Sequence, residues 1–354
     1  MINLTTYQYL ELEKISSGAF YPLNSFMNKK DLESVVDNYC LKSGVFFPMP
    51  IFLDIEDEVK KDLRNKSCID LYYKNIKVGL LIINDIFKVD KEKISKKVYG
   101  TKSLKHPGVN YFCNSNQWFV GGLVKLKKKI HFDKSIKELE PEQVKAIFKK
   151  KKWKTIVGFQ TRNIPHFAHE YLQRIALEFV DALYINPLIG WKKKGDYTEK
   201  AISIGYQYFV KNYINSKRVC LNFLRTNMRY AGPRESLFHA LIRRNYGCTH
   251  FIIGRDHAGV GNFYKKYAAH DLASKFKDQL GIKIMKLFGP FYCKICKGIV
   301  TEKTCNHYKK NSKNIFEISG TYIRDLIVNK KTIDDRFIRK EIIECVQKTK
   351  VFIE

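Results

Sequence analysis

The sequence predicts an α/β chain in which a β-rich N-terminal unit precedes a parallel sheet of doubly wound type. Three observations carry this expectation. Up to about residue 135, short apolar runs such as Ile51-Phe52-Leu53, Val78-Gly79-Leu80-Leu81-Ile82-Ile83 and Trp118-Phe119-Val120 sit between Gly, Pro, Asn and Asp residues, the punctuation of strands and turns. From Trp153 onward, apolar runs at 155–159, 182–185, 219–224, 251–253 and 282–285 alternate with helical stretches, the pattern of strands joined by crossover helices. The 354 residues, 45% hydrophobic and 14% aromatic, supply packed cores for two domains and a small third.

Residues 1–135 read as a mostly β, barrel-like domain. The stretch SIKELEPEQVKAIFKKKKW reads as a linker and a short helix, which puts a boundary within 133–152. A second unit is expected over 136–288, with a helix from His166 to Val180 whose Phe167, Tyr171, Leu172, Ile175 and Phe179 share one face. Residues 289–354 are expected to form a C-terminal subdomain. Open parallel sheets bind ligands outside the carboxyl ends of their strands, so polar clusters just after the apolar runs are the candidate site.

Composition narrows the class. No stretch approaches the roughly 18–20 apolar residues of a membrane span. The N-terminus, MINLTTYQYLELEK, shows neither a secretory pattern nor an Arg- and Ser-rich transit pattern, so a cytoplasmic protein without a membrane partner is expected. Cys40, Cys68, Cys113, Cys220, Cys248 and Cys345 are scattered, as reduced thiols are, whereas Cys293, Cys296 and Cys305 cluster. The formal charge of +29 comes largely from lysine runs at 127–129, 149–152 and 192–194. These read as solvated surface with no nucleic-acid partner. A basic RNA-binding protein is the rival from another class, and a positive field would also speed the encounter of an enzyme with polyanions.

Two clusters stand where the sheet rule puts them. After the first run comes Gln160-Thr161-Arg162-Asn163-Ile164-Pro165-His166-Phe167-Ala168-His169-Glu170. Pro165 suits a first helical position, His166 and His169 fall on one face of the opening turn, and the helix end offers free N–H groups to an anion. Arg162 adds a planar fork for an oxyanion. After the fourth run comes Gly254-Arg255-Asp256-His257-Ala258-Gly259-Val260-Gly261, where glycines let backbone approach a ligand. The segment Met228-Arg229-Tyr230-Ala231-Gly232-Pro233-Arg234-Glu235 reads as a structural turn with two arginines before a helix carrying His239. Finally, Cys293-x2-Cys296-x8-Cys305-x-His307 matches a closed tetrahedral zinc site, structural because four protein ligands leave no open position.

Together these motifs resemble those of the ATP sulfurylase family: QTRNIPHFAHE, RYAGPRES, GRDHAGVG and Ile318-Ser319-Gly320-Thr321-Tyr322-Ile323-Arg324, with SSGAFYPLNSFM and HPGVNYF near the N-terminus. The zinc cluster resembles that of bacterial and archaeal members, and no fused adenylylsulfate kinase domain is expected. The resemblance implies a PUA-like β-barrel, a Rossmann-like nucleotidyltransferase domain with a parallel sheet, and a small zinc-bearing subdomain. It implies that Gln160, Arg162 and the Ala258 backbone bind sulfate, and that Thr161, Arg162 and Asn163 serve catalysis. ATP is then held by Gln160, Asn163, His166, His169, Gly254, Arg255, Asp256 and His257, with the histidines of the first cluster facing phosphate. The adenine would fall near Pro290 and Phe291, where the sequence departs from the family pattern.

The implied reaction joins sulfate to the α-phosphorus of ATP, giving adenosine 5′-phosphosulfate and pyrophosphate, reversibly. Mg²⁺ arrives with ATP, and family members are commonly homo-oligomers. Sulfate carries no proton at neutral pH, so attack needs charge neutralisation and in-line alignment rather than a general base. Another H-x-x-H nucleotidyltransferase is the enzyme rival, and the joint presence of QTRN and GRDHAG speaks against it.

Overall fold

The computed structural model describes residues 1–63, 65–309, 312–329, 331 and 333–354. Its N-terminal sheet comprises β1 (Ile2–Asn3), β2 (Ser25–Phe26), β3 (Asp54–Ile55), β4 (Cys68–Tyr73), β5 (Ile76–Phe87) and β6 (Trp118–Leu126). The strands are ordered β1-β4-β5-β6-β2, with β3 also on β6. The β4–β5 hairpin closes through Lys74 and Asn75, at φ 49° and 60°. Two consecutive left-handed residues match the right-handed twist of the strands they join.

This unit is less β-rich than the sequence predicts. It also carries α1 (Thr6–Ser16), α2 (Lys29–Asn38), α3 (Asp57–Leu63), α4 (Lys91–Tyr99) and α5 (Pro107–Cys113). The case of α1 shows why. Every residue from Gln8 to Ile15 is buried, so the helix has no polar face and therefore no amphipathic period to read. Its start is nonetheless written locally, because Thr5 and Gln8 cap each other's backbone N–H groups, the reciprocal pattern of a capping box.

After α6 (Pro141–Lys150) the five predicted runs become β7 (Ile156–Phe159), β8 (Ala182–Ile185), β9 (Val219–Leu221), β10 (His250–Ile253) and β11 (Lys283–Lys286). All are parallel, in the order β11-β10-β7-β8-β9. The crossovers contain α7 (Phe167–Leu177), α8 (Glu199–Asn212), α9 (Gly232–Asn245) and α10 (Ala268–Lys275). The chain leaves β7 toward β8 on one side, and β10 later joins β7 on the other. The strand order thus reverses at β7, and the loops after β7 and β10 open side by side at one sheet edge.

The C-terminal segment forms β12 (Phe291–Cys293), β13 (Gly298–Val300) and β14 (Ile315–Glu317), an antiparallel trio ordered β13-β12-β14, then α11 (Gly320–Val328) and α12 (Lys340–Val346). Among the described residues no helix is long and apolar enough to cross a membrane.

One apolar core runs from the N-terminal sheet to the face of the parallel sheet under α9, while a second, on the opposite face, takes in α7, α8, α11 and α12. Polar ties cross the first. Arg229 Nη2 donates to both Glu11 oxygens at 2.8 and 2.6 Å, with both side chains buried. Arg234 donates to the carbonyls of Val35, Val36 and Pro48, and Lys14 meets Glu13 and Glu138 at 2.5 Å each. The two arginines of the 228–235 turn are structural, as the sequence suggests. They seat the N-terminal unit on the parallel-sheet one.

Removing one member of a buried pair strands the other in a dry setting. Arg229→Ala should therefore lower stability by about 3–5 kcal/mol, and pairing Arg229→Met with Glu11→Leu should recover most of that loss. Urea denaturation checks both variants. A single-variant loss under about 1 kcal/mol would show that the pair does not tie the units together.

Candidate active site

The loop after β7 places the first motif. His166 is not inside the helix but is its N-cap, with extended backbone at φ −145° and ψ 169°, and Phe167 is the first helical residue. Pro165 thus precedes the cap instead of occupying the first helical position. The helix also stops at Leu177, short of Val180, and Phe179 is 75% exposed rather than on the apolar face.

Capping fixes the chemistry of His166. Its Nδ1 accepts from the His169 N–H at 3.4 Å, so in the neutral ring Nε2 bears the proton. That Nε2 is buried with no protein partner among the described residues, in a side chain lining the cleft. The two imidazoles stack at 3.7 Å between centroids. His169 is engaged on both nitrogens, with Thr161 Oγ1 at 3.5 Å and the Tyr206 hydroxyl at 3.2 Å. Burial lowers the pKa of both rings, of His166 far below the usual histidine range with help from His169 and Arg255, and of His169 to about 3. Both are neutral donors and acceptors, not cations.

Positive charge comes from guanidiniums. Arg162 reaches across to the β10 loop, Nη2 donating to Gly259 O at 2.9 Å, while its Nε faces Asp196 Oδ2 at 3.4 Å. Asp196 is fully buried and accepts from the Tyr230 hydroxyl at 2.7 Å; it also binds Arg324 and faces Lys193 at 4.0 Å. Burial opposes its charge, yet Arg162 and Arg324, with Tyr230 and Lys193, hold the carboxyl below its usual range. Arg255 is anchored by Ile318 O at 3.1 Å and Glu317 at 3.1 Å. Cations are held side by side by a buried anion and by backbone carbonyls.

The second motif is a tightly turned loop. Asp256 and Ala258 sit at φ 49° and 57°, a conformation costly for residues with a Cβ and common at functional sites. A Cβ at Gly259 would lie 1.9 Å from Asp256 Oδ1, so any other residue there would displace the Asp256 carboxylate. Gly320 plays the same part opposite, because its Cβ would fall 2.5 Å from Asn163 Nδ2.

Every predicted residue of the two motifs, from Gln160 to Asn163, His166, His169 and Gly254 to Ala258, lines one cleft. Gly289, Pro290, Ser319, Thr321 and Arg324 complete it, whereas Phe291 turns away into the small sheet. Sequence reading missed Asp196, Tyr206 and the partners of His257. Asp196 follows a predicted strand, but it adjoins the lysine run 192–194, which reads as solvated. That reading fails at Lys192, which is 5% exposed, although Lys149 to Lys152 are exposed as expected.

Apart from the cleft, Cys293, Cys296, Cys305 and His307 gather with ligand atoms within 4.8 Å of one another and could hold a metal ion. The strands they brace are spliced to the cleft: Gly289 and Pro290 precede β12, and Ile318 to Thr321 follow β14.

Comparison with known proteins agrees with this geometry. A family profile described as ATP-sulfurylase matches residues 137–349, and one described as a PUA-like domain matches residues 1–129. The chain is 40% identical to a sulfate adenylyltransferase of Pyrococcus abyssi over 96% of its own length and 87% of the relative's. It is 39% identical to one from Ignicoccus hospitalis, covering 95% and 87%, and 38% identical to one from Staphylothermus marinus, covering 98% and 89%. A solved structure titled hexameric APS kinase from Thiobacillus denitrificans shares the fold at a TM-score of 0.74 and 19% identity, over 98% of this chain and 62% of that one. By profile, by identity and by the residues gathered in its cleft, the chain belongs to the ATP-sulfurylase family.

Proposed function

We propose that the chain is a sulfate adenylyltransferase, joining sulfate to the α-phosphorus of ATP with release of pyrophosphate, and reversibly so. The observation that carries this reading is the meeting of the Gln160–Asn163 and Gly254–Ala258 segments in one cleft, with Arg162 spanning them. In this reading Gln160, Arg162 and the Ala258 backbone hold sulfate. Thr161, Arg162 and Asn163 meet the charge that develops in the transition state, and His166 Nε2–H together with the start of α7 faces phosphate. The hydroxyl of Thr161 accepts from the Asn163 N–H at 3.0 Å and contacts His169, so its position is set before any ligand arrives. Fixed donors of this kind need no reorganisation when charge shifts toward the leaving pyrophosphate. Thr161 Oγ1 lies 3.5 Å from His169 Nε2, but that imidazole is also held by Tyr206 and the hydroxyl by the Asn163 N–H, an arrangement that favours positioning and direct in-line attack by sulfate over a covalent route. Mg²⁺ accompanies ATP, bound largely by phosphates and water.

The thiolate cluster is assigned to structural zinc. Zn–S bonds near 2.3 Å and Zn–N bonds near 2.0–2.1 Å give tetrahedral edges of about 3.5–3.8 Å. Cys296 Sγ lies 3.8 Å from Cys305 Sγ, and His307 Nδ1 lies 3.3, 3.7 and 3.8 Å from Cys296, Cys293 and Cys305. We take 1–135, 136–288 and 289–354 as the three folding units, and self-association as part of the same reading.

Cys296→Ser should release the metal and lower the thermal midpoint. Elemental analysis that finds no zinc in protein purified without chelator would contradict the assignment. Arg162→Lys keeps a charge but loses the fork that bridges Gly259 and Asp196. Followed as ATP formed from adenylylsulfate and pyrophosphate, its turnover should fall on the order of 10²-fold or more. Sulfate saturation should weaken more than ATP binding. Unchanged turnover and sulfate affinity would remove Arg162 from the site.

A further inference from the structure

His257 lies in the cleft, but what governs it is buried behind it. Its Nε2 is 3.1 Å from Nδ1 of His239, a residue of α9 that is 1% exposed. The other nitrogen of His239, Nε2, faces Glu235 Oε1 at 3.4 Å. Glu235 is fully buried and is held by two main-chain donors, Arg229 N–H at 2.8 Å and Ala231 N–H at 2.9 Å. Burial opposes its charge, but the contact with His239 and the nearby Arg229, with its N–H, keep the carboxyl below its usual range, so it is ionised.

The proton positions follow from this line of groups. An ionised carboxylate accepts only, so His239 carries its proton on Nε2. Neutral His239 then offers a lone pair at Nδ1, and His257 must donate to it from Nε2. The Nδ1 of His257, the nitrogen with no protein hydrogen bond among the described residues, is left as a lone pair. The charged groups packed on the ring, Arg243 and Arg162, oppose a second proton there. Arg243 and His239 face it from α9, Arg162 from the β7 loop and His270 from α10, while Phe251 of β10 stands edge-on. Burial and these neighbours push the His257 pKa well below the usual histidine range.

From this geometry we infer that Glu235 and His239 are positioning residues that fix His257 as a hydrogen-bond acceptor, so that it selects a donor on the nucleoside of the ligand, a sugar hydroxyl or the base amine, and not a phosphate oxygen. The inference rests on the proposed function for the identity of the nucleotide. It gives two histidines of one cleft opposite polarity through hidden partners. His166, capped at Nδ1, shows N–H to the anion, whereas His257, bonded at Nε2, shows a lone pair to the nucleoside. Backbone geometry decides the first and a buried carboxylate the second.

Nitrogen-15 NMR of ring-labelled protein reads the state directly. His257 Nδ1 should stay unprotonated between pH 6 and 8, both free and with ATP bound, and a doubly protonated ring in the ATP complex would overturn the inference. Affinities for ATP, 2′-deoxy-ATP, 3′-deoxy-ATP and the triphosphate of purine riboside then locate the donor. One analogue should bind about threefold to tenfold more weakly than ATP, the worth of one hydrogen bond. That deficit should vanish in His257→Phe, while inorganic pyrophosphate binding stays unchanged. A deficit that persists in His257→Phe, or pyrophosphate affinity that falls in it, would also contradict the inference. Sulfate-dependent turnover is measured in parallel. An inactive wild type whose ATP complex shows the expected ring state would overturn the proposed reaction alone, and an active one with a charged His257 would overturn the inference alone.

Discussion

Asp196 is fully buried, yet it accepts from Tyr230 and is flanked by Arg162, Arg324 and Lys193. The cleft depends on this contact. Two guanidiniums brought together without an anion would repel and swing toward water. A carboxylate fixed beneath them holds them at the sheet edge before any ligand binds. The chain's C-terminal end supports the same point, because Ile353 N–H donates to Asp196 O at 2.9 Å and Val351 O accepts from Thr198 N–H at 2.9 Å.

A site for two polyanions must bring positive charge into a partly dry place, and doing so is expensive unless the charge is paired. Here the pairing partners lie behind the cations: Asp196 for Arg162 and Arg324, Glu317 and a carbonyl for Arg255. The imidazoles serve differently. Neutral and locked by protein partners, they contribute directed donors and acceptors whose state changes little with pH.

The parallel sheet was legible because buried strands read as continuous apolar runs, and all five runs became its strands. The two loop motifs were legible because their polar residues directly follow such runs, and the Cys/His cluster because its four residues fall within fifteen positions, from Cys293 to His307. What stayed hidden was hidden for physical reasons. Helix α1 is buried on all sides and so has no period. Asp196 adjoins three lysines, one of which, Lys192, is itself buried. Glu235 and His239 sit one helical turn apart on α9, whose residues are almost all buried, so nothing in spacing marks them. Only the β10 loop, arriving from elsewhere in the chain, makes them functional. Phe179, read as part of the apolar face, lies beyond the end of its helix and meets solvent.

Direct displacement by sulfate at a cleft whose charges are set in advance is the central claim, and isotope exchange reaches it without any substitution. Labelled pyrophosphate is incubated with protein, Mg²⁺ and ATP, and label entering ATP is followed with and without sulfate. Direct in-line attack predicts exchange only when sulfate is present, because pyrophosphate leaves only as sulfate enters. Exchange at a comparable rate in sulfate-free solution would require an adenylylated enzyme and would contradict the mechanism.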